Sequence, residues 1–398
     1  MARLKRYIPD YKPCKMHGST CYRTRIVDSR GKRISLYADT REELYDKVLD
    51  AQSQIEEDIY RRENPTVAEY CDKWLLMQSA NIRATTLRDY TSLVKNHIVG
   101  PLGDKYMADV TADDIKLAMV GVAKMSSSTF QSVHALYKSI FQSALDSDII
   151  SKSPCARLSS KGGRPQKEKQ ALSDEQVETL LTAIRGLPPY VFVMIGLYAG
   201  LRREEILGLQ WDCVFLDGAT PYISVRRAWH TEHNRPFILE ELKTKAARRD
   251  IPIPPQLAEC LRDAKEKSIS KFVVANSDGL PLSNTQFQRI WKYIETRSIK
   301  ERTYVRYVNG QKIKHTVKPV LGQKAAHNGS VVYSLDFPVT PHLLLHTYIT
   351  NLIYASVDPK TVQYLAGHEN SKITMDIYAK VKYNQPEQLA SSIMKAFG

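Results

Sequence analysis

The hydrophobic pattern changes period along the chain. Tyr22–Val27 and Lys32–Tyr37 are β-prone runs joined by Asp28-Ser29-Arg30-Gly31, which predicts a hairpin. Thr40, with Glu43 three residues on, has the form of a capping box. It opens a helix in which Leu44, Val48, Ile55 and Ile59 share a face as far as Asn64. After Pro65 the pattern is helical to about Ala156. Helix starts are read at Thr66/Glu69, at Thr111/Asp114, and at Ser127/Ser128 before Phe130, Val133, Tyr137, Ile140 and Ala144, while Leu87, Tyr90, Val94 and Ile98 form a stripe. Residues 157–170 carry Gly, Ser, Pro and charge without apolar period and read as a linker. From 171 to 398 helices mix with short strands at Tyr222–Val225, Phe237–Leu242 and Asp250–Ile253, and Ser173/Gln176 is another capping box. Tyr304–Val308 and Lys312–Thr316 flank Asn309-Gly310, which predicts a hairpin with a type I′ turn. Leu389, Ile393, Met394 and Phe397 predict a tail helix.

Composition narrows the class. With 43% apolar and 25% charged residues among 398, the chain can bury cores, and disorder as the main state is excluded. The longest apolar stretch, Tyr190–Leu201, has about a dozen residues where a membrane span needs ~20. No apolar run follows the basic N-terminus, so neither a secretory signal nor a membrane partner is expected, and the expected location is cytoplasmic. The six cysteines are scattered and expected to be reduced. Cys14, His17 and Cys21 supply three of four zinc ligands at most, so no metal or cofactor is expected.

The charge is less ordinary. The net +14 gathers in 1–35, with ten Lys/Arg against two acids, in 157–169, with five against one, and in 297–324, with eight against one. Separate basic clusters suit a polyanion held along an extended path, because each neutralised phosphate releases condensed counterions. Nucleic acid is the expected partner.

Four segments of the third region carry candidate chemistry. In Ala199-Gly200-Leu201-Arg202-Arg203-Glu204-Glu205, an Arg after Gly at a helix start meets an anion-favouring terminus, and Glu205 can hold a basic neighbour. Leu242-Lys243-Thr244-Lys245, with Arg248-Arg249 following, offers a hairpin Lys able to donate a proton. Thr340-Pro341-His342-Leu343-Leu344-Leu345-His346 and Gly367-His368, with Tyr378 ten residues after the second His, complete the set. His342 and His346 also have helical spacing for zinc, but the Glu of a zincin motif is absent.

In this order, over about 180 residues, the four boxes resemble those of the tyrosine recombinases, the integrases of phages and conjugative transposons. The resemblance implies a multidomain α+β chain: an N-terminal arm-DNA-binding β-α domain over 1–64, an all-α core-DNA-binding domain over 65–156, a basic linker over 157–170, and a mainly α catalytic domain over 171–398 with a small antiparallel sheet and a tail helix. It implies Arg202, Lys243, His342, His368 and Tyr378 as catalytic residues, Tyr378 as nucleophile, with Lys245 the weaker choice of lysine. It implies attachment-site DNA as partner, a homo-tetramer on DNA that exchanges tails, and DNA-bending or excision factors. The family's His box normally reads His-x-x-Arg, and here that Arg is Leu345. Impaired cleavage is therefore expected. The rival readings are a cleavage-deficient DNA-binding regulator or architectural protein, a type IB topoisomerase-like relaxase, and an RNA-binding protein.

Overall fold

The computed structural model describes residues 7–16, 19–165, 170–242, 244–326, 328–383 and 394. Contacts divide the chain into two compact units, 1–168 and 169–398.

Unit 1 begins with an antiparallel sheet, β1 (Lys12–Met16), β2 (Ser19–Val27) and β3 (Arg33–Ala38), in that spatial order. Cys14 and Cys21 face each other across β1 and β2 with their Sγ atoms 3.0 Å apart, and His17 lies outside the described residues. Helix α1 (Arg41–Glu63) follows. Its N-cap Thr40 accepts from Glu43 N, which is half of the expected box. The helical part comprises α2 (Val67–Ser79), α3 (Ala84–Val94) running through a π-turn into the short α4 (Gly100–Leu102), α5 (Ala112–Ala123) and α6 (Ser127–Asp146). Thr66/Glu69 and Thr111/Asp114 form reciprocal capping boxes as read, whereas α6 is capped by Ser126, one residue before the expected serines. Trp74, Ile98, Ile115, Val133, Tyr137 and Phe141 are among the residues that fill the core of this bundle.

Residues 157–165 do not hang free. Ser127 N donates to Arg164 O (2.8 Å) and Arg164 N to Met125 O (2.7 Å), so the segment runs back along the start of α6. Gly162 and Gly163 lie so close that an added Cβ would meet the Phe130 ring at 2.4 Å and the Ser127 backbone at 2.6 Å. These glycines serve close approach rather than looseness.

Unit 2 opens with α7 (Asp174–Ile184), capped by Ser173/Gln176 as read, then α8 (Tyr190–Tyr198). Phe192, Val193, Met194, Ile195 and Leu197 are all buried, as expected of a helix apolar all round. A short α9 (Arg203–Gly208) leads to β4 (Val214–Phe215), β5 (Tyr222–Val225), the hairpin β6 (Ala228–Glu232) and β7 (Arg235–Leu239), and β8 (Arg249–Pro252). One sheet has the order β4-β5-β8 and the β6–β7 pair forms another. The Lys243 segment therefore connects two sheets and is not a hairpin. After β8 come α10 (Pro255–Glu266), α11 (Asn284–Glu295), and a long antiparallel pair, β9 (Arg302–Val308) and β10 (Gln311–Val317). Asn309 and Gly310 have φ of 51° and 79°, as a type I′ turn requires. The short pair β11 (Lys324–Ala325) and β12 (Asn328–Val332) precedes α12 (Pro341–Tyr354), α13 (Pro359–Ala366) and α14 (Ser371–Tyr383). Helix α12 lies tight on α8, since a Cβ on Gly196 would meet Leu344 Cδ1 at 2.8 Å.

Candidate active site

Arg202 is the N-cap of α9, reached through Gly200 at φ +60°. Its backbone N–H donates to Glu205 Oε2 (2.9 Å) and its Nη1 to Glu205 Oε1 (3.0 Å), so Glu205 fixes both ends of the residue. Nη2 donates to Gly367 O (3.0 Å). Glu205 is buried and holds a second arginine as well. Arg249 Nη1 and Nη2 reach Oε1 (3.0 Å) and Oε2 (2.8 Å) in a bidentate fork. Burial pushes the Glu205 carboxyl up, but hydrogen bonding and charge from Arg249, with Arg202 behind it, outweigh burial and leave its pKa below the ordinary carboxylate value.

The motif spacing alone gives Arg249 no role. The signal was present: β8 alternates buried and exposed, with Arg249 and Ile251 inward and Asp250 and Pro252 outward. A charged residue on the inward face of a strand needs a buried partner, and Glu205 is that partner.

Helix α13 ends at Gly367, which is left-handed at φ +61°. A side chain there would put Cβ 2.8 Å from Arg249 Nη1 and 3.1 Å from Arg202 Nη1, so both guanidinium groups converge on this turn. The next residue, His368, is buried, and its Nδ1 lies 2.9 Å from the hydroxyl of Thr374 on α14. Burial, followed by the charges of Arg202, Arg249 and His342, pulls its pKa down to about 4. His368 is therefore neutral at pH 7. His342 is an exposed residue in the first turn of α12, behind the N-cap Thr340, and belongs to the same electrostatic neighbourhood. His346 Nδ1 lies 3.4 Å from Thr350 Oγ1 on the same helix.

Leu345 is buried and packs with Tyr348, Ile349, Ile353, Val362 and Ala366. Ile377 and Tyr378 of α14 pack, half-buried, on this cluster. Tyr378 thus sits one turn beyond Thr374, on the helix bonded to His368. Of the five expected residues, Arg202, His342 and His368 come together at the starts of α9 and α12 and the end of α13, while Tyr378 lies midway along α14, on the cluster beside them. Lys243 lies outside the described residues. Among the described residues there is no group of three or more His, Cys, Asp or Glu side chains arranged for a metal, and no helix long and apolar enough to cross a membrane.

The phage integrase family model matches residues 170–318 and 308–385, and the phage integrase N-terminal SAM-like domain matches 66–117. The chain belongs to the phage integrase family of tyrosine recombinases. Among its relatives, an integrase of Streptomyces ambofaciens is 24% identical over 79% of this chain and 76% of the relative. A XerC-like tyrosine recombinase of Caldanaerobacter subterraneus subsp. tengcongensis is 26% identical over 68% and 67%. The tyrosine recombinase fold also shows in solved structures. The Tn1549 transposon integrase in complex with a circular intermediate DNA aligns at TM-score 0.62 and 20% identity, over 81% of this chain and 99% of that one. A lambda integrase dimer bound to a core site aligns at 0.54 and 17%, over 94% and 96%.

Proposed function

We propose that this tyrosine recombinase cuts and rejoins duplex DNA at attachment sites to integrate or excise a mobile element, and that its cleavage step is slow. The observation that carries this reading is the convergence of Arg202 and His368 at the Gly367 turn, bonded through Thr374 to the helix of Tyr378. Relatives named as an ICEBs1 integrase of Bacillus subtilis and as a transposase from transposon Tn916 support the mobile-element setting.

Tyrosine is a poor nucleophile near neutrality, with an ordinary pKa of about 10, so the site must stabilise its phenolate and the transition state. Tyr378 Oη attacks the scissile phosphorus in line. The P–O5′ bond breaks, a 3′-phosphotyrosine forms, and Lys243 protonates the leaving 5′-oxygen while His342 takes up the phenol proton. Arg202 clamps the non-bridging oxygens. Neutral His368 has one ring N–H to give. With the Thr374 hydroxyl donating to Nδ1, that proton resides on Nε2 and can be offered to phosphate. Attack by another strand's 5′-hydroxyl reverses the step. The ester conserves the bond energy, so neither ATP nor metal is consumed.

Leu345 removes one cation from this clamp. By analogy with loss of an oxyanion donor, the penalty is ~3–4 kcal/mol, or 10²–10³ in rate. The basic N-terminal sheet and the basic β9–β10 ribbon supply further DNA contacts, and a homo-tetramer on paired sites, with tails exchanged, is the assembly the reading requires. Residues 385–398 lie outside the described residues apart from 394.

The test is incubation with a nicked attachment-site duplex, scoring a denaturation-resistant protein–DNA adduct. Wild type is expected to form it slowly and Tyr378→Phe not at all. An adduct that persists in Tyr378→Phe moves the nucleophile elsewhere. DNA binding with no adduct, even after long incubation, favours the regulator reading, whose support is Leu345.

A further inference from the structure

The two arginines on Glu205 are not equivalent. The Arg202 side chain keeps 33% of its surface exposed and the Arg249 side chain none. A guanidinium has five N–H donors. Arg249 spends four of them inside the protein: Nε on Leu365 O (2.8 Å), Nη1 on Glu205 Oε1 (3.0 Å) and Ala247 O (3.1 Å), and Nη2 on Glu205 Oε2 (2.8 Å). Arg202 spends two side-chain donors, on Glu205 Oε1 and Gly367 O. Arg202 can reach a ligand and Arg249 cannot.

What Arg249 does reach is the supports of Arg202 and His368. Through Glu205 it holds α9 and Arg202. Through Leu365 O it holds the end of α13, which delivers Gly367 and His368. Through Ala247 O it holds the connection that carries Lys243. We propose that Arg249 is a positioning residue for strand cleavage: it touches no phosphate, but locks Glu205 so that Arg202 presents its remaining donors, and it holds the turn that presents His368. This inference rests on the recombinase reading above. A buried ion pair adds little net stability compared with apolar residues of the same volume, so stability alone does not explain it. Lysine would keep the charge but lose the planar fork that grips both carboxylate oxygens.

The experiment is a double-mutant cycle on the full-length chain, using Arg249→Met, Arg202→Ala and the double variant, with Arg249→Lys alongside. Thermal unfolding first establishes that each variant is folded. Arg249→Met is expected to slow adduct formation on the nicked attachment-site duplex by ~10²-fold, the order of effect of a misplaced catalytic group. Arg249→Lys should recover part of the loss. The double variant should be slower than Arg202→Ala by far less than the loss that Arg249→Met causes alone, because most of that loss passes through Glu205 and Arg202. Multiplicative losses in folded variants would overturn the proposal. The same cycle, run on equilibrium affinity for the duplex in a Tyr378→Phe background, reads the coupling without chemistry. A wild-type chain that binds but forms no adduct therefore counts against the recombinase reading alone. His368 provides a readout without DNA. Losing the Arg249 charge and releasing Glu205 both raise its NMR titration midpoint in Arg249→Met, and an unmoved midpoint in a folded variant would also refute the positioning role.

Discussion

His368 Nδ1 and Thr374 Oγ1 lie 2.9 Å apart, and this hydrogen bond joins the turn after α13 to the helix of Tyr378. The contact holds the two halves of the site in register. It is buried, with Thr374 1% exposed, so water cannot substitute for a missing hydroxyl.

Thr374→Val keeps the side-chain shape and removes the hydroxyl. One hydrogen bond of about 1–1.5 kcal/mol converts to roughly ten-fold in rate. Adduct formation should fall by about that factor with little change in DNA affinity, measured by single-turnover cleavage and fluorescence anisotropy. An unchanged rate would mean that His368 is held in place without this bond.

Acid should weaken the catalytic unit through His368 and Glu205 together. The folded state holds His368 to about 4, whereas in the unfolded chain it titrates near 6.5. Between those values the unfolded state binds more protons, so stability falls as pH drops from about 6.5 towards 4. Glu205, held below its ordinary value, adds stability that is lost as pH falls through its depressed pKa. Denaturant midpoints of the isolated 169–398 unit, or of the transition assigned to it, should decline across that window. His368→Gln should flatten the upper part of the decline.

Leu345→Arg restores the missing cation and should raise adduct formation by ~10²–10³. It also removes a side chain from the cluster on which Tyr378 rests. Leu345→Ala separates the two effects. It should lose ~2–5 kcal/mol of stability with no gain in cleavage. Equal adduct levels in Leu345→Arg and wild type would sink the clamp argument.

Gly367→Ala should be damaging although it adds one methyl group. The residue sits at φ +61°, and the new Cβ would lie 2.8 Å from Arg249 Nη1. Left-handed backbone alone costs a non-glycine residue ~1–2 kcal/mol. Both a lower thermal midpoint and a slower adduct are expected, because relief of the clash moves the two arginines.

Much of this architecture was legible where local chemistry dictates it. The boxes at Thr66/Glu69, Thr111/Asp114 and Ser173/Gln176 cap real helices, and Asn309-Gly310 makes the turn that its left-handed tolerance predicts. The hairpin at His233-Asn234 went unread, because two non-glycine residues at φ 47° and 65° give no glycine signal, and strand Phe237–Leu242 took its place. The segment 157–165 read as a linker because its glycines look the same whether they loosen a chain or seat it against Phe130. Arg202, Glu205, His342, His368 and Tyr378 stood out by spacing. Arg249 did not, since its importance comes from inward placement on β8 and from partners distant in sequence.

The β9–β10 ribbon enters and leaves the catalytic unit at one point, for Arg302 and Val317 are register partners at its open end. Paired residues in an antiparallel ladder lie only ~5 Å apart, so a tight turn could close that gap. The ribbon can therefore lengthen, shorten or vanish between related chains without a residue of the Arg202–Glu205–Arg249 cluster moving. The length and charge of the ribbon and the chemistry of the cluster are free to diversify separately.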